Sequence, residues 1–307
     1  LFPTEKHILY RPKDALLPAG VIAIGTKSYA NLNEAIREAT SSGDKIELGA
    51  GTFVIDARRT IVKGVTLKGA GKDATIIPLQ APAIASVHDN ADEGAFILGE
   101  NAAIEDVCIK YNTTRIPGKP WDSDEILSGV ILGKYDENVV MNTSVKNCRI
   151  IGFRNGIRAN HNTGIVIEGN EISNNRHGIQ LGCGATGIIK DNVFTNNEVW
   201  GLFFWGTEER QTELGEPTIT GNTFSGNWVG DVGIQWGTII DYKVNLNGNT
   251  FSSDTKTVMV VDGTLDTTLS VKSSHTFTQS DPGFQANIVT NKVADVTLDG
   301  YSIVTPE

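Results

Sequence analysis

Arg158, Arg176 and His177 are the residues of this chain best suited by type and spacing to do chemistry together. Asn160 and Gln180 stand beside them, and Trp200, Phe203, Trp205 and Gln235 follow at related spacings. Guanidinium groups hold carboxylates through paired N–H donors, and an imidazole moves protons near neutral pH. Planar amides meet sugar hydroxyls, while aromatic rings stack on the apolar face of a sugar ring. These types suit proton abstraction next to a uronate carboxylate, ending in β-elimination or C5 inversion. That reaction needs a cation to neutralise the carboxylate, a base and a proton donor. In this assignment Arg158 and Arg176 neutralise, His177 is the base, and Asn160 or Gln180 orients the sugar. Trp200, Phe203, Trp205 and Gln235 complete the substrate-binding surface.

The elements that must position these residues are visible as an internal repeat. The segments Val145-Lys-Asn-Cys-Arg-Ile150, Ile167-Glu-Gly-Asn-Glu-Ile172, Ile189-Lys-Asp-Asn-Val-Phe194, Ile219-Thr-Gly-Asn-Thr-Phe224 and Leu246-Asn-Gly-Asn-Thr-Phe251 share one pattern. Their fourth positions, Cys148, Asn170, Asn192, Asn222 and Asn249, step by 22, 22, 30 and 27 residues. A second strand follows a glycine in each repeat, at Gly129, Gly156, Gly178, Gly201 and Gly233. Strands this short cannot bury a face alone, but stacked at a fixed period they build one continuous core. The period predicts a coil of parallel strands with the asparagines stacked at one turn, sharing amide hydrogen bonds along the axis. An antiparallel sandwich with asparagine-rich turns is the alternative. In the coil, Ile157, Ile179, Leu202 and Ile234 point inward, which turns Ile131, Arg158, Gln180, Phe203 and Gln235 outward as one column. Asn160 and Trp205 fall in a second outward column. His177 and Trp200 precede the strand glycines, at a bend where their direction is not fixed by alternation.

The run Gly169-Asn-Glu-Ile-Ser-Asn-Asn-Arg-His-Gly-Ile-Gln-Leu181 resembles the repeats of right-handed parallel β-helix proteins of the pectate-lyase-like superfamily. The periplasmic copper-processing and mannuronan C5-epimerase types are the most similar. The opening is similar too, in Asn31-Leu-Asn-Glu-Ala-Ile-Arg-Glu-Ala39 and Gly43-Asp-Lys-Ile-Glu-Leu-Gly-Ala-Gly-Thr-Phe53. The resemblance implies an all-β, single-stranded right-handed parallel β-helix, and Arg176-His177-Gly178 is similar to a run found in mannuronan epimerases. The epimerases' Asp-Pro-His-Glu signature is missing, and the corresponding coil reads Gly133-Lys-Tyr-Asp-Glu137. The calcium-type pectate lyase and polygalacturonase motifs are missing as well.

A single domain over residues 1–307 is expected, with a cap region at 1–45, regular coils at 46–255 and irregular terminal coils at 256–307. Asn31 and Glu34 form a capping box, with Leu32, Ala35, Ile36 and Ala39 on one face of a short helix that covers the N-terminal end. Extra residues at 112–127 and 206–217 border the second-strand sheet, where loops carry function. They also supply the alternative in which Phe203 and Trp205 are simply covered by a loop.

Between Val145 and Lys190 six bases (Lys146, Arg149, Arg154, Arg158, Arg176, Lys190) face two acids (Glu168, Glu171), a local +4 inside a chain of net charge −10. A cationic surface on an acidic protein steers a polyanion. The alternative is that these bases pair with acids of adjacent coils as a solvated ladder. The overall negative charge argues against nucleic acid as partner. No apolar run reaches the ~18 residues of a membrane span. Three cysteines without C-x-x-C spacing support neither a disulfide framework nor structural zinc.

The expected partner is therefore a polysaccharide or oligosaccharide, with a homo-oligomer left open. A start at Leu1 instead of Met means either a processed chain or a cut one, and is read as a sign of export, to a secreted or cell-surface location. No metal and no cofactor are expected, Ca2+ being left open without a ligand cluster. Two other functions remain open. One is a non-catalytic carbohydrate-binding or spike solenoid. The other is a glycosidase or fructosyl transferase using loop acids such as Asp122, Asp124, Glu125, Glu208, Glu209 and Glu213.

Overall fold

The computed structural model describes residues 16–56, 59–80, 94–111, 128–132, 139–182, 184–205, 217–228, 230–234, 246, 248–251, 259–261, 288–289 and 303–304. Their backbone winds through three long sheets in turn. The first holds nine strands, ending at Thr218–Thr220; the second runs from Gly51–Thr52 to Thr250–Phe251; the third runs from Arg59–Ile61 to Met259–Val261. One coil visits all three, as in Ile165–Glu168, then Glu171–Ser173, then His177–Gly182. Each pairs in parallel with its counterparts in the coils before and after. The six-residue repeat read as one strand is two, joined by a sharp corner.

The corner follows from backbone chemistry. Position three of the repeat takes left-handed angles, with φ of 51° at Asn147, 68° at Gly169, 56° at Asp191 and 68° at Gly221. Only glycine and short polar residues accept that region readily. Gly169 is needed for a further reason. A Cβ there would sit 2.6 Å from the Asn147 Oδ1 of the coil before.

Position four then turns inward and is buried, at 0% exposure for Asn170, Asn192 and Asn222 and 4% for Asn249. Asn170 N and Nδ2 both donate to Asn192 Oδ1, at 3.0 and 2.9 Å, and Nδ2 also donates to Val145 O. Asn192 repeats this toward Asn222, and Asn222 toward Asn249. The predicted ladder is present, with Cys148 N donating to Asn170 Oδ1 at its head.

A second ladder, not foreseen, occupies the next corner. Phe153 N donates to Asn175 Oδ1, Asn175 donates to Asn197, Asn197 to Asn227, and Asn227 Nδ2 ends on Asp231 Oδ1 at 2.8 Å. Buried amides in complete networks of this kind hold a unique backbone path. Between the ladders runs the core, in which Phe194, Phe224 and Phe251 stack with centroids 4.7 and 5.0 Å apart.

At the N-terminal end the helix Leu32–Glu38 forms as its capping box dictates, with Glu34 N donating to Asn31 Oδ1 at 2.9 Å. Leu32, Ala35, Ile36 and Ala39 all join the core. Here Ile22–Ile24 runs antiparallel to Lys27–Tyr29 and to Lys45–Leu48, closing the first sheet. Among residues 256–307, Met259–Val261 extends the third sheet and Ile288–Val289 pairs in parallel with Ile303–Val304.

Candidate functional site

The third sheet positions the site residues. Arg158, Gln180 and Phe203 stand in register on successive strands, as predicted, and Asn160 lines up with Gly182 and Trp205. Their strand neighbours Ile157, Ile179, Leu202, Ala159, Leu181 and Phe204 belong to the core, so the site column lies on the outer face. The direction of His177 is settled by its contact. Its ring lies 4.4 Å from that of Phe203, tilted by 52°, so it folds along the outer face onto the next strand. Trp200 follows the same rule one coil later: a Cβ at Gly233 would run into its indole. The structure thus brings Arg158, His177, Gln180, Trp200 and Phe203 onto one face.

Three expectations need correction. The face is not an open groove: exposure is 6% for Arg158, His177 and Phe203, 8% for Gln180, 9% for Trp200 and 4% for Asn160. The reason lies in part in the diagonal packing, which folds His177 and Trp200 over the gap toward the next strand.

The fifth strand is also displaced by two residues. Gly233, expected beside the strand glycine Gly201, stands beside Phe203 where Gln235 was expected, and Gly230 is the mate of Trp200. Gln235 itself and the side chain of Trp205 and of Ile234 lie outside the described residues.

The six bases, finally, do not form one surface. Lys146 and Lys190 sit on the first sheet around Glu168, at 3.5 and 3.8 Å. Arg149 sits on the second, bonded to Glu171 and Asp73 at 2.7 and 2.8 Å. Arg149 is held further toward its charged form by the Glu171 hydrogen bond, against the opposing effect of burial. For these three the ladder alternative holds.

Arg154 and Arg176 stack at the corner between the second and third sheets, where His177 N donates to Arg154 O at 2.8 Å and Val199 N to Arg176 O at 2.8 Å. Both are half-buried. Glu198, absent from the sequence reading, stands in the coil after Arg176 and is 6% exposed. Its signal was the one extra residue between His177 and Trp200, 23 apart where Asn155 and His177 are 22 apart.

Asn155 and Ser128 were also missed, although each precedes a strand glycine as His177 does. Ser128, Asn155, His177, Trp200 and Gly230 are register mates. Asn155 Nδ2 donates to Ser128 Oγ at 3.4 Å. The loop acids Asp122, Asp124, Glu125, Glu208, Glu209 and Glu213, and Lys134, Tyr135 and Asp136, lie outside the described residues.

Three wound sheets with stacked corners define the class: a parallel β-helix. Solved structures agree. Carrot pectin methylesterase superposes with a TM-score of 0.54 at 9% identity, covering 89% of this chain and 86% of that one. The Agl-KA catalytic domain gives 0.52 at 17% identity over 97% and 59%. Geobacillus virus E2 ORF18 gives 0.51 at 14% over 89% and 57%. The chain thus spans under three fifths of the length of the last two. No curated protein matches it.

Within the class, residues 115–295 match the family described as periplasmic copper-binding protein (NosD), and the chain belongs to that family. The described residues do not fit a copper site. Burial pushes the Cys148 thiol up to about 12, and its Sγ lies against the carbonyl oxygens of Lys146 and Ile104 at 3.2 and 3.7 Å. A protonated thiol is a poor metal ligand. Cys108 is likewise raised by burial, and Cys183 lies outside the described residues. Among the described residues no three of His, Cys, Asp and Glu come together to hold a metal.

Proposed function

We infer that this is a polysaccharide-handling β-helix of the periplasm or cell exterior, taking an acidic, uronate-containing saccharide at the outer face of the third sheet. One observation carries the reading. Arg158, Gln180 and Phe203 stand in file on adjacent strands, about 4.8 Å apart by strand spacing, with His177 packed on Phe203. A cation, an amide and an aromatic ring in that order meet a carboxylate, a hydroxyl and a sugar face. The family's periplasmic description supports the location, and a protein of like fold is by name a pectin methylesterase.

The chemistry that fits is removal of the proton α to the carboxylate. Arg158 neutralises the carboxylate and the enolate that forms from it, with Arg176 at the adjoining corner, and His177 takes the proton. In β-elimination the electron pair becomes the C4–C5 double bond, the C4–O bond breaks, and the glycosidic oxygen leaves with the proton that His177 took. In epimerisation water returns a proton to C5 from the other face, and His177 gives its own proton to solvent.

Incubation with alginate, pectate and glycosaminoglycans, followed by absorbance of unsaturated uronates and by NMR, tests this reading. Product from one of them, lost in His177→Ala, is the expected result. The absence of both product and binding with every polyanion overturns it. The absence of a complete catalytic signature, the epimerases' Asp-Pro-His-Glu run among them, favours a second reading, binding without turnover. That reading predicts binding without product, lost in Phe203→Ala and kept in His177→Ala.

A further inference from the structure

The corner that leads into the third sheet carries a ring open to solvent. Among the side chains described, the exposed large apolar ones are Leu16, Val54, Ile188, Val193 and Trp228, and Trp228, at 61%, alone of these is aromatic. Its place is fixed by the winding. Arg176 N donates to Phe153 O at 2.9 Å, Glu198 N to Asn175 O at 2.7 Å and Trp228 N to Asn197 O at 2.9 Å. Each N–H thus reaches the residue that precedes its counterpart in the coil before, so Arg154, Arg176, Glu198 and Trp228 form one column. Strand spacing sets about 4.8 Å from one to the next. Asn227, just before Trp228, ends the second ladder, with Nδ2 donating to Phe194 O at 3.2 Å and to Asp231 Oδ1 at 2.8 Å. A ring on a backbone held in this way gives up little freedom when a ligand settles on it.

The surroundings of the ring are polar. Asn174 and Asn196, which precede the ladder residues of their coils, are both exposed and both left-handed at φ 54°. A Cβ at Gly226 would lie 2.6 Å from Asn196 Oδ1, so the Asn196 amide sits over the corner that carries Trp228, two residues from it. Beside them the outer positions Ser173, Thr195 and Ser225 run in register and are half-buried. Arg154 and Arg176 are half-buried, while Glu198, the acid of the column, is 6% exposed. The ridge therefore shows amides, hydroxyls, two bases and one ring face, with its acid withdrawn. A docking protein buries an apolar core of several side chains, which one ring among polar groups does not supply. A saccharide has an apolar ring face and a rim of hydroxyls, which this mixture fits, and the two bases favour one that carries carboxylates.

We propose that this corner is a second saccharide-binding site, a ridge on which an acidic chain stacks one sugar on Trp228 and runs along the helix axis, past Asn196, toward Arg176 and Arg154. Arg176 is followed directly by His177, so the ridge adjoins the file on the third sheet and would hold a neighbouring stretch of the same chain. The inference rests on the saccharide reading of that sheet, and adds a platform that is open to solvent.

The test uses the full chain with Trp228→Ala, Trp228→Phe and Asn196→Asp. The last keeps the shape and the left-handed backbone of Asn196 while adding a negative charge to the ridge. Melting temperature, sedimentation velocity and titration calorimetry are read, the last with oligosaccharides of alginate and of pectate. All the variants are expected to melt with the parent, because the side chains changed are exposed. Affinity for the saccharide that the parent binds falls about tenfold in Trp228→Ala and stays within about threefold in Trp228→Phe. In Asn196→Asp it falls several-fold, and the loss shrinks as salt is raised. In the parent, bound saccharide also shields tryptophan emission from acrylamide, a readout that needs no variant. Undiminished affinity in Trp228→Ala overturns the inference, and so does emission that saccharide leaves equally open to acrylamide. A parent that sediments as a dimer, with Trp228→Ala a monomer, assigns the ring to a second copy of the chain and overturns it too. A parent that binds no saccharide overturns the third-sheet reading as well, which separates the two failures.

Discussion

On the first two sheets, strand residues alternate between the core and half-exposed positions, while on the third both sets are buried. Ile165–Glu168 and Glu171–Ser173 follow the alternating pattern. Asn155–Asn160 and His177–Gly182 are buried at every position. The outer charges of the first two sheets pair along the axis, as Lys68 does with Glu105 at 3.0 Å and Lys146 with Glu168 at 3.5 Å. The third sheet instead files Arg158, Gln180 and Phe203 against one another. The first two sheets hold with one face buried, and burying polar side chains on a second face costs desolvation. Architecture is thus carried by the two ladder corners and the core, and the third sheet buries a second, partly polar face besides.

The strongest way to break this contrast is at a ladder. Asn192 Oδ1 accepts from Asn170 N and Nδ2, while its own Nδ2 donates to Ile167 O and Asn222 Oδ1. Asn192→Leu strands the Asn170 amide and the Ile167 carbonyl in the core. A loss of about 4 kcal/mol is expected in urea denaturation. A loss below about 1 kcal/mol would mean that the corners are set by something other than the amides.

How much of this was legible in advance differs by region for the same physical reason. The first ladder was readable because Asn170, Asn192, Asn222 and Asn249 recur within a six-residue pattern that the corner geometry enforces. The second ladder uses Asn175, Asn197 and Asn227, five residues further on in each coil, and was as regular. It went unread because its terminal partner is Asp231 and its first acceptor serves the amide of Phe153, neither of which looks like a repeat. Alternation correctly placed Arg158, Gln180 and Phe203 on one outer column. It gave no measure of burial, because burial of an outer face depends on what crosses it, and the strand sequence does not encode that. The displaced fifth strand was missed because Gly233 imitates the strand glycine, whereas Gly230 and Asp231 hold the equivalent places.

A direct test of the contrast compares equivalent outer positions. Glu168 on the first sheet and Gln180 on the third both face away from the core. Glu168 is half-exposed, and Gln180 is 8% exposed. Gln180→Ala is expected to cost about 2 kcal/mol, through lost packing and unmatched neighbours. Glu168→Ala is expected to cost under about 0.5 kcal/mol, since an exposed ion pair contributes little. Equal costs, read from thermal unfolding, would erase the distinction between the sheets.

The ladder side of the comparison can be sharpened by extension. Cys148 holds the ladder position but supplies only a thiol, which accepts from the Val107 amide and lies 3.7 Å from Ile104 O. By analogy with Asn170, whose Nδ2 bonds Val145 O three residues before Cys148, an asparagine at 148 would bond Ile104 O and accept from Val107 N. Cys148→Asn is therefore expected to raise stability by about 1 kcal/mol. A fall of that size would show that the first complete coil is too tight for the amide.

The smallest effect belongs to the charged faces, and it depends on pH. Burial alone would raise the Glu171 carboxyl above its ordinary value, but hydrogen bonds from Lys72 and Arg149 outweigh it and the net shift is downward. A carboxyl whose folded pKa is depressed stabilises the fold above its unfolded value, here near 4.5, and that contribution is lost as pH falls through the folded value. The side chain is 36% exposed, so solvent screening keeps the contribution small. Glu171→Gln should then lower stability by about 0.5 kcal/mol at pH 7, with the difference from the parent shrinking toward zero near pH 3. A difference that stays constant across that range would assign the loss to packing instead of charge. One as large as that of Gln180→Ala would place an outer charge of the second sheet on the same footing as the buried face of the third.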